Sequence, residues 1–180
     1  MILLTGIALG VAVGLGAAAR HRARYEAPAL QYVWVVPVAL LLQAWEQSAE
    51  FPIIASQLIL LAFAFLNRSQ RGMKVLLAGA AMNFLVMASN GGYMPISPQT
   101  ASRLFPQLNM QDYPPGTLFG AKDVLLPPEL TRFEWLADRF LPPAWLPYQA
   151  AFSAGDVFIA IGACWLFAFP TNPPPSEVQS

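Results

Sequence analysis

The sequence predicts an all-α fold: a polytopic membrane helix bundle of five transmembrane helices with a proline-rich outer segment carrying short interfacial helices. Three observations carry that reading. Five apolar runs, Ile2–Ala19, Leu30–Trp45, Phe51–Leu66, Val75–Ala88 and Ala150–Phe169, approach the length of a bilayer-spanning helix. A helix rises about 1.5 Å per residue, so roughly 17–25 apolar residues cross the hydrocarbon core. Nearly all of the ten basic and ten acidic residues fall in the gaps between these runs. Charged residues make up only 11% of the chain, against about a quarter in soluble domains. Inside lipid a backbone must satisfy its own hydrogen bonds, so runs of this kind are helices.

The chain divides on this basis into one membrane domain. Residues 1–91 supply four helices, 92–149 an extracytoplasmic segment, 150–170 the fifth helix and 171–180 a cytoplasmic tail. The first run could be mistaken for a secretory signal, because Gly16-Ala17-Ala18-Ala19 offers small residues. Its basic residues, Arg20, Arg22 and Arg24, follow the apolar stretch instead of preceding it, which reverses the signal layout. Arg68, Arg71 and Lys74 form a second basic loop, whereas the loop between runs two and three carries Glu46 and Glu50. Short basic loops stay cytoplasmic, so the N-terminus lies outside and the C-terminus inside.

The outer segment is interrupted by Pro114-Pro115, Pro127-Pro128 and Pro142-Pro143 and looks too poor in apolar residues to cover its own backbone. Ser97 can cap a helix opening at Pro98. Pro128 can open a second helix through Phe140, with Phe133, Leu136 and Phe140 on one face, suited to the membrane interface.

Helix 1 carries Gly6, Gly10 and Gly14 at four-residue spacing. Helices in lipid pack by close approach through small residues, so this face should press against a neighbour, in the same chain or in a partner. No strand precedes these glycines, which excludes a nucleotide loop. Among polar residues, Thr5, Gln43, Gln57 and Asp156 fall at one depth near the outer boundary, with Asn90 just above and Asn83 deeper. They suggest a shared polar layer. Asp156 is expected to be buried and bonded to Ser153 or to the Asn90-Gly91-Gly92 turn, because an unpaired charge inside a span costs roughly 2.5–3.5 kcal/mol on insertion scales. The single cysteine, Cys164, reads as a small packing residue. His21 sits among arginines at the inner boundary and reads as an anchor. No catalytic triad, metal-ligand spacing or phosphate loop is present, so no cofactor or metal is expected. A net charge of zero argues against nucleic acid.

In order along the chain come Asn90-Gly91-Gly92-Tyr93-Met94-Pro95, Lys122, Thr131-Arg132, Trp135-Leu136, Asp138 and Ser153-Ala154-Gly155-Asp156. This pattern resembles a bacterial membrane-protein family known as domain of unknown function 5317. The chain departs from that pattern at Asp123, where His would follow the lysine, and at Ala137, where Gly would precede the aspartate. The resemblance implies a polytopic protein of the bacterial inner membrane and supplies no activity. Three functions remain in view. The sequence favours a non-catalytic accessory or structural subunit contacting the lipid bilayer and membrane-protein partners. The alternatives are a small transporter or channel built around Asp156, and a membrane enzyme with an outer site at Asp138, Lys122 and the Asn-Gly-Gly turn.

Overall fold

The computed structural model describes residues 2–21, 24–44, 50–119, 122–143, 145 and 149–169. Arg22, Trp45, Glu46 and the 170–180 tail lie outside the described residues, as does the side chain of Gln43. The chain is mostly helical: α1 (Ile2–Arg20), α2 (Val35–Ala44), α3 (Glu50–Leu66), α4 (Met73–Ser89), α5 (Pro98–Leu104) and α6 (Ala154–Ala168). Three short strands, β1 (Met94–Ile96), β2 (Leu118–Phe119) and β3 (Asp123–Leu125), form a sheet of order β1-β3-β2. β1 pairs parallel to β3, with Met94 opposite Asp123, and β2 pairs antiparallel to it.

The five long helices stand in the order α1–α6–α4–α3–α2. Their closest contacts are made by glycine. A methyl group on Gly6 would collide with the Ala160 carbonyl, one on Gly10 would lie 2.9 Å from Phe167 Cβ, and one on Gly14 would lie 2.8 Å from the Phe167 carbonyl. The glycine face of α1 is therefore closed by α6, and the two helices run parallel. On its other side α6 meets α4 head to tail. Gly155 abuts Gly79 and Asn83, while Gly162 abuts Gly72 and Leu76. An external partner on the α1 glycine face, one site expected for such a contact, is thus replaced by an intrachain interface.

Residues 24–34 cross the base of the row. The Tyr25 hydroxyl donates to the Phe167 carbonyl at 2.9 Å, and the Gln70 amide donates to the Ala29 carbonyl at 2.9 Å. Asn67 Oδ1 accepts from the Gln31 N–H at 2.7 Å while Asn67 Nδ2 donates to the Gln31 carbonyl at 3.1 Å. The basic residues Arg20, Arg24, Arg68, Arg71 and Lys74 belong to this end, and residues 90–153 cap the other.

Four expectations need correction. Among the described residues one helix, α1 over Leu3–Arg20, is long and apolar enough to cross a membrane. α3, α4 and α6 are apolar but 17, 17 and 15 residues long, and α2 has ten, so five full-length spans are not shown. The fifth helix starts at Ala154 instead of 150. Phe152 is extended and bridges Phe140, and Ser153 then caps the helix. The outer segment also has a core of its own, in which Ile96, Ala101 and Leu125 are fully buried. α5 does open at Pro98 behind a Ser97 cap. No helix follows from Pro128 to Phe140, however. Two single 3-10 turns, Pro128–Leu130 and Glu134–Leu136, flank Phe133, whose φ of 55° is left-handed. Asn90 grips the Arg132 backbone from both sides, donating to its carbonyl and accepting from its N–H at 2.9 Å each. That grip competes with the helical ladder and wins.

The packing yields a matched test. Gly10→Val should lower unfolding stability in detergent by about 1–3 kcal/mol through overpacking. Gly16→Val, which meets nothing within 4 Å, should leave it within about 0.5 kcal/mol. Equal effects in melting experiments would refute the assigned α1–α6 contact.

Candidate functional site

Two polar clusters meet where the cap sits on the helices. The lower one begins with helix capping. The first N–H groups of a helix lack intrahelical partners. Ser153 Oγ accepts from the Asp156 N–H at 3.1 Å, while Asp156 Oδ2 accepts from the Ser153 N–H at 2.9 Å. This reciprocal box fixes the start of α6. Asn83 on α4 completes it: its Nδ2 donates to Asp156 Oδ1 at 2.9 Å, and its Oδ1 accepts from Ser153 Oγ at 2.9 Å. Gly155 leaves the room for Asn83 to reach in. Asp156 is therefore half-buried in the first turn of α6, with both carboxylate oxygens supplied by donors.

Of the expected polar layer, these hydrogen bonds join Asn83, Ser153 and Asp156. Asn90 turns to Val86 and Arg132 and makes no hydrogen bond to Asp156. Gln57 is half-buried on α3, with no described bond into the cluster. Thr5 is exposed on α1. Gly91 and Gly92 adopt φ of 74° and 88° and turn the chain out of α4, with the Gly92 N–H donating to the Met87 carbonyl at 2.8 Å. That turn delivers Tyr93, Met94 and Pro95 into the core.

The upper cluster contains Asp138 and Lys122, two members of the outer enzyme site that the sequence offers as an alternative. β1 holds it together: the Met94 N–H donates to the Lys122 carbonyl at 2.7 Å and the Asp138 N–H to the Pro95 carbonyl at 3.1 Å. Residues sixteen apart in sequence thereby flank one strand. Lys122 Nζ lies 2.8 Å from Asp138 Oδ2 and 3.2 Å from Asp123 Oδ1. Asp138 has no side-chain exposure, whereas about half of Lys122 reaches solvent. Asp138 Oδ1 is buried without a hydrogen-bond partner among the described residues. Burial pushes the Asp138 carboxyl up to about 7, helped by the charge of Asp123 and opposed by Lys122. Burial likewise raises Asp123, against the pull of Lys122. Burial disfavours the Lys122 ammonium, but Asp138 and Asp123 outweigh it and its pKa rises. A lysine held protonated is neither a nucleophile nor a base. The trio is an ionic pin that fastens residues 134–138 to the sheet.

No described group of three or more His, Cys, Asp or Glu side chains has a metal-binding arrangement. Cys164 packs its backbone against Gly10, and His21 is exposed at the foot of α1.

Comparison with known proteins agrees with the sequence motifs. The model of the family of unknown function DUF5317 matches residues 27–168. The chain belongs to this family. A relative from Thermotoga maritima, described as an uncharacterized protein, is 30% identical over 151 residues, covering 79% of this chain and 78% of its own. No solved structure matches. The family region contains the Asn-Gly-Gly turn, both polar clusters and α2 to α6, and it begins after α1.

Two predictions follow from the clusters. Lys122→Met should destabilise the cap by about 3 kcal/mol, the low end for breaking a buried pair, since the ammonium is partly solvated and Asp138 can take up a proton. Hydrogen exchange at Met94–Ile96 and Val124–Leu125 should report the loss. Because the folded-state pKa of Asp138 is raised, its contribution to stability is present below its ordinary range near 4 and declines as pH rises through about 7. Asp138→Asn should therefore flatten the pH dependence of melting in that window. A protonated carboxyl band in the infrared should vanish above pH 7 in the wild type and be missing from the variant.

Proposed function

We propose that this chain is a membrane-embedded, non-catalytic accessory or structural subunit, placed in the bacterial inner membrane with its basic end on the cytoplasmic side. One observation carries the reading: all five long helices expose large apolar side chains, while Asn83, Ser153 and Asp156 turn to one another at the contact of α4 with α6. Leu4, Leu9, Leu41, Leu58, Leu85, Ile161 and Trp165 are each 44% to 69% exposed. Soluble monomers rarely show contiguous apolar patches beyond a few hundred Å². Exposed tryptophans sit toward both ends of the row, Trp34 and Trp165 toward the base and Trp135 and Trp145 in the cap, as interfacial aromatics do.

The lengths of α3, α4 and α6 fit with some bilayer adjustment, whereas the ten residues of α2 reach only about 15 Å. Helices of 15 and 17 residues span about 22–26 Å, a few ångströms short of the roughly 30 Å core, a mismatch that local thinning absorbs. Alternating chain direction from α1 to α4, and again through the cap to α6, supports five passes with the N-terminus outside. A row of helices rather than a closed ring leaves two broad faces. Lipid covers one, and a neighbouring membrane protein fits the other. The transporter reading loses support because Asn83, Ser153 and Asp156 satisfy one another and Gln57 and Asn90 stay outside that cluster.

Alkaline carbonate extraction tests the membrane placement: the chain should stay with the pellet, and release into the supernatant would refute it. Gentle purification from native membranes should recover a second membrane protein in fixed ratio. A monodisperse monomer that moves a solute into liposomes would overturn the subunit reading.

A further inference from the structure

We infer that the base of α3 and α4 binds the headgroup of an anionic phospholipid, an inference that rests on the membrane placement proposed above. A cavity of about 400 Å³ opens there, lined by Leu66, Arg68, Ser69 and Lys74. Its chemistry is that of a phosphodiester site. Arg68 and Lys74 supply cations, Ser69 a hydroxyl, and the cavity has no acidic lining residue. Arg68 is already positioned: its guanidinium lies 4.2 Å over the Phe65 ring and one nitrogen donates to the Phe65 carbonyl at 2.9 Å. A guanidinium has five N–H donors, so this anchor leaves others for a ligand. The α4 terminus beside the cavity adds to the attraction. Gly72 provides no side-chain cap for the 17-residue helix, and its N-terminal partial charge favours an anion.

The surroundings select a lipid over a free anion. Phe65 and Leu66, each about half exposed, continue from the cavity along α3, where acyl chains would lie. Basic pockets at the cytoplasmic ends of membrane helices favour anionic headgroups by roughly 1 kcal/mol per Lys or Arg near the surface. Other cations of the same end, Arg20 and Arg24, lie outside the cavity lining and provide a control for simple charge attraction.

The test uses the full chain in a neutral detergent, with phosphatidylglycerol and phosphatidylcholine of identical acyl chains added and bound lipid counted by native mass spectrometry. The wild type should retain one phosphatidylglycerol about tenfold in preference to phosphatidylcholine. Arg68→Gln with Lys74→Gln should abolish that preference with unchanged helicity and melting. Arg20→Gln with Arg24→Gln should preserve it, and millimolar inorganic phosphate should not displace the lipid. Equal retention of the two lipids, equal loss in both double variants, or displacement by phosphate would each overturn the site. Failure of the membrane reading is seen separately in carbonate extraction, so a chain that stays in the pellet without lipid preference refutes the headgroup site alone.

Discussion

The contact on which the rest depends is the backbone approach of α6 to its two neighbours. Small residues let helix backbones approach closely, so packing density and interhelical hydrogen bonds act at the same contact. α6 meets α1 through Gly6, Gly10 and Gly14 and meets α4 through Gly72, Gly79, Gly155 and Gly162. At each of these positions a Cβ would strike backbone or a neighbouring side chain. A helix held on both sides in this way is fixed in rotation as well as in height. That height brings Ser153 and Asp156 level with Asn83, and the capping box then becomes an interhelical link as well as a terminus. The small-residue contact and the polar contact reinforce each other, because either alone would allow α6 to slide along α4.

The cap follows from the same placement. Once α4 ends at the Gly91-Gly92 turn and α6 begins at Ser153, the intervening chain must close a short gap with many residues. It does so by folding back over the helix ends, with Asn90 holding Arg132 and the Lys122–Asp138 pair holding the strand segments. Those ties are polar because the cap has little apolar surface to spend. Its small clusters around Ile96 and Leu125 and around Met94 and Leu136 are covered by a sheet of two- and three-residue strands. Burying Asp138 beside a half-exposed lysine carries a desolvation cost that apolar residues would avoid. The arrangement instead fixes the register of three strand segments that hydrophobic pattern could not specify.

What the sequence revealed tracks the range of each interaction. α1, α3 and α4 were legible because an apolar run and its charged flanks are local signals. The glycine face was legible as a packing surface, although four-residue spacing on one helix says nothing of which helix answers it. The start of α6 was misread because Ala150, Ala151 and Phe152 extend the apolar run, while the feature that ends it, a serine three residues before an aspartate, is a capping signal within the predicted span. The strands were not legible at all, since two or three residues show no period, and the prolines around them read as breakers. Lys122 and Asp138 carry no spacing signature because a parallel strand pairing brings them together. The one available hint was that Lys122 is the only lysine between residues 90 and 153, which marks it as unusual without naming its partner.

The geometry also separates the functional classes by how its polar groups are used. A carrier or channel needs groups that change partners, taking up an ion or proton in one state and releasing it in another. Asp156 receives Asn83 Nδ2 on one oxygen and the Ser153 N–H on the other, and the same bonds hold the end of α6 in place. Detaching them would unfasten the helix terminus, so any change of partner at this carboxylate would loosen the link that fixes α6. The Lys122 trio is similarly committed to the strands. By contrast, the outer surfaces of α1, α2 and α3 carry apolar side chains with no intrachain role to disturb. The polar groups of α4, α6 and the cap are thus occupied in holding the chain's own parts together, while large apolar side chains of α1, α2 and α3 stay exposed.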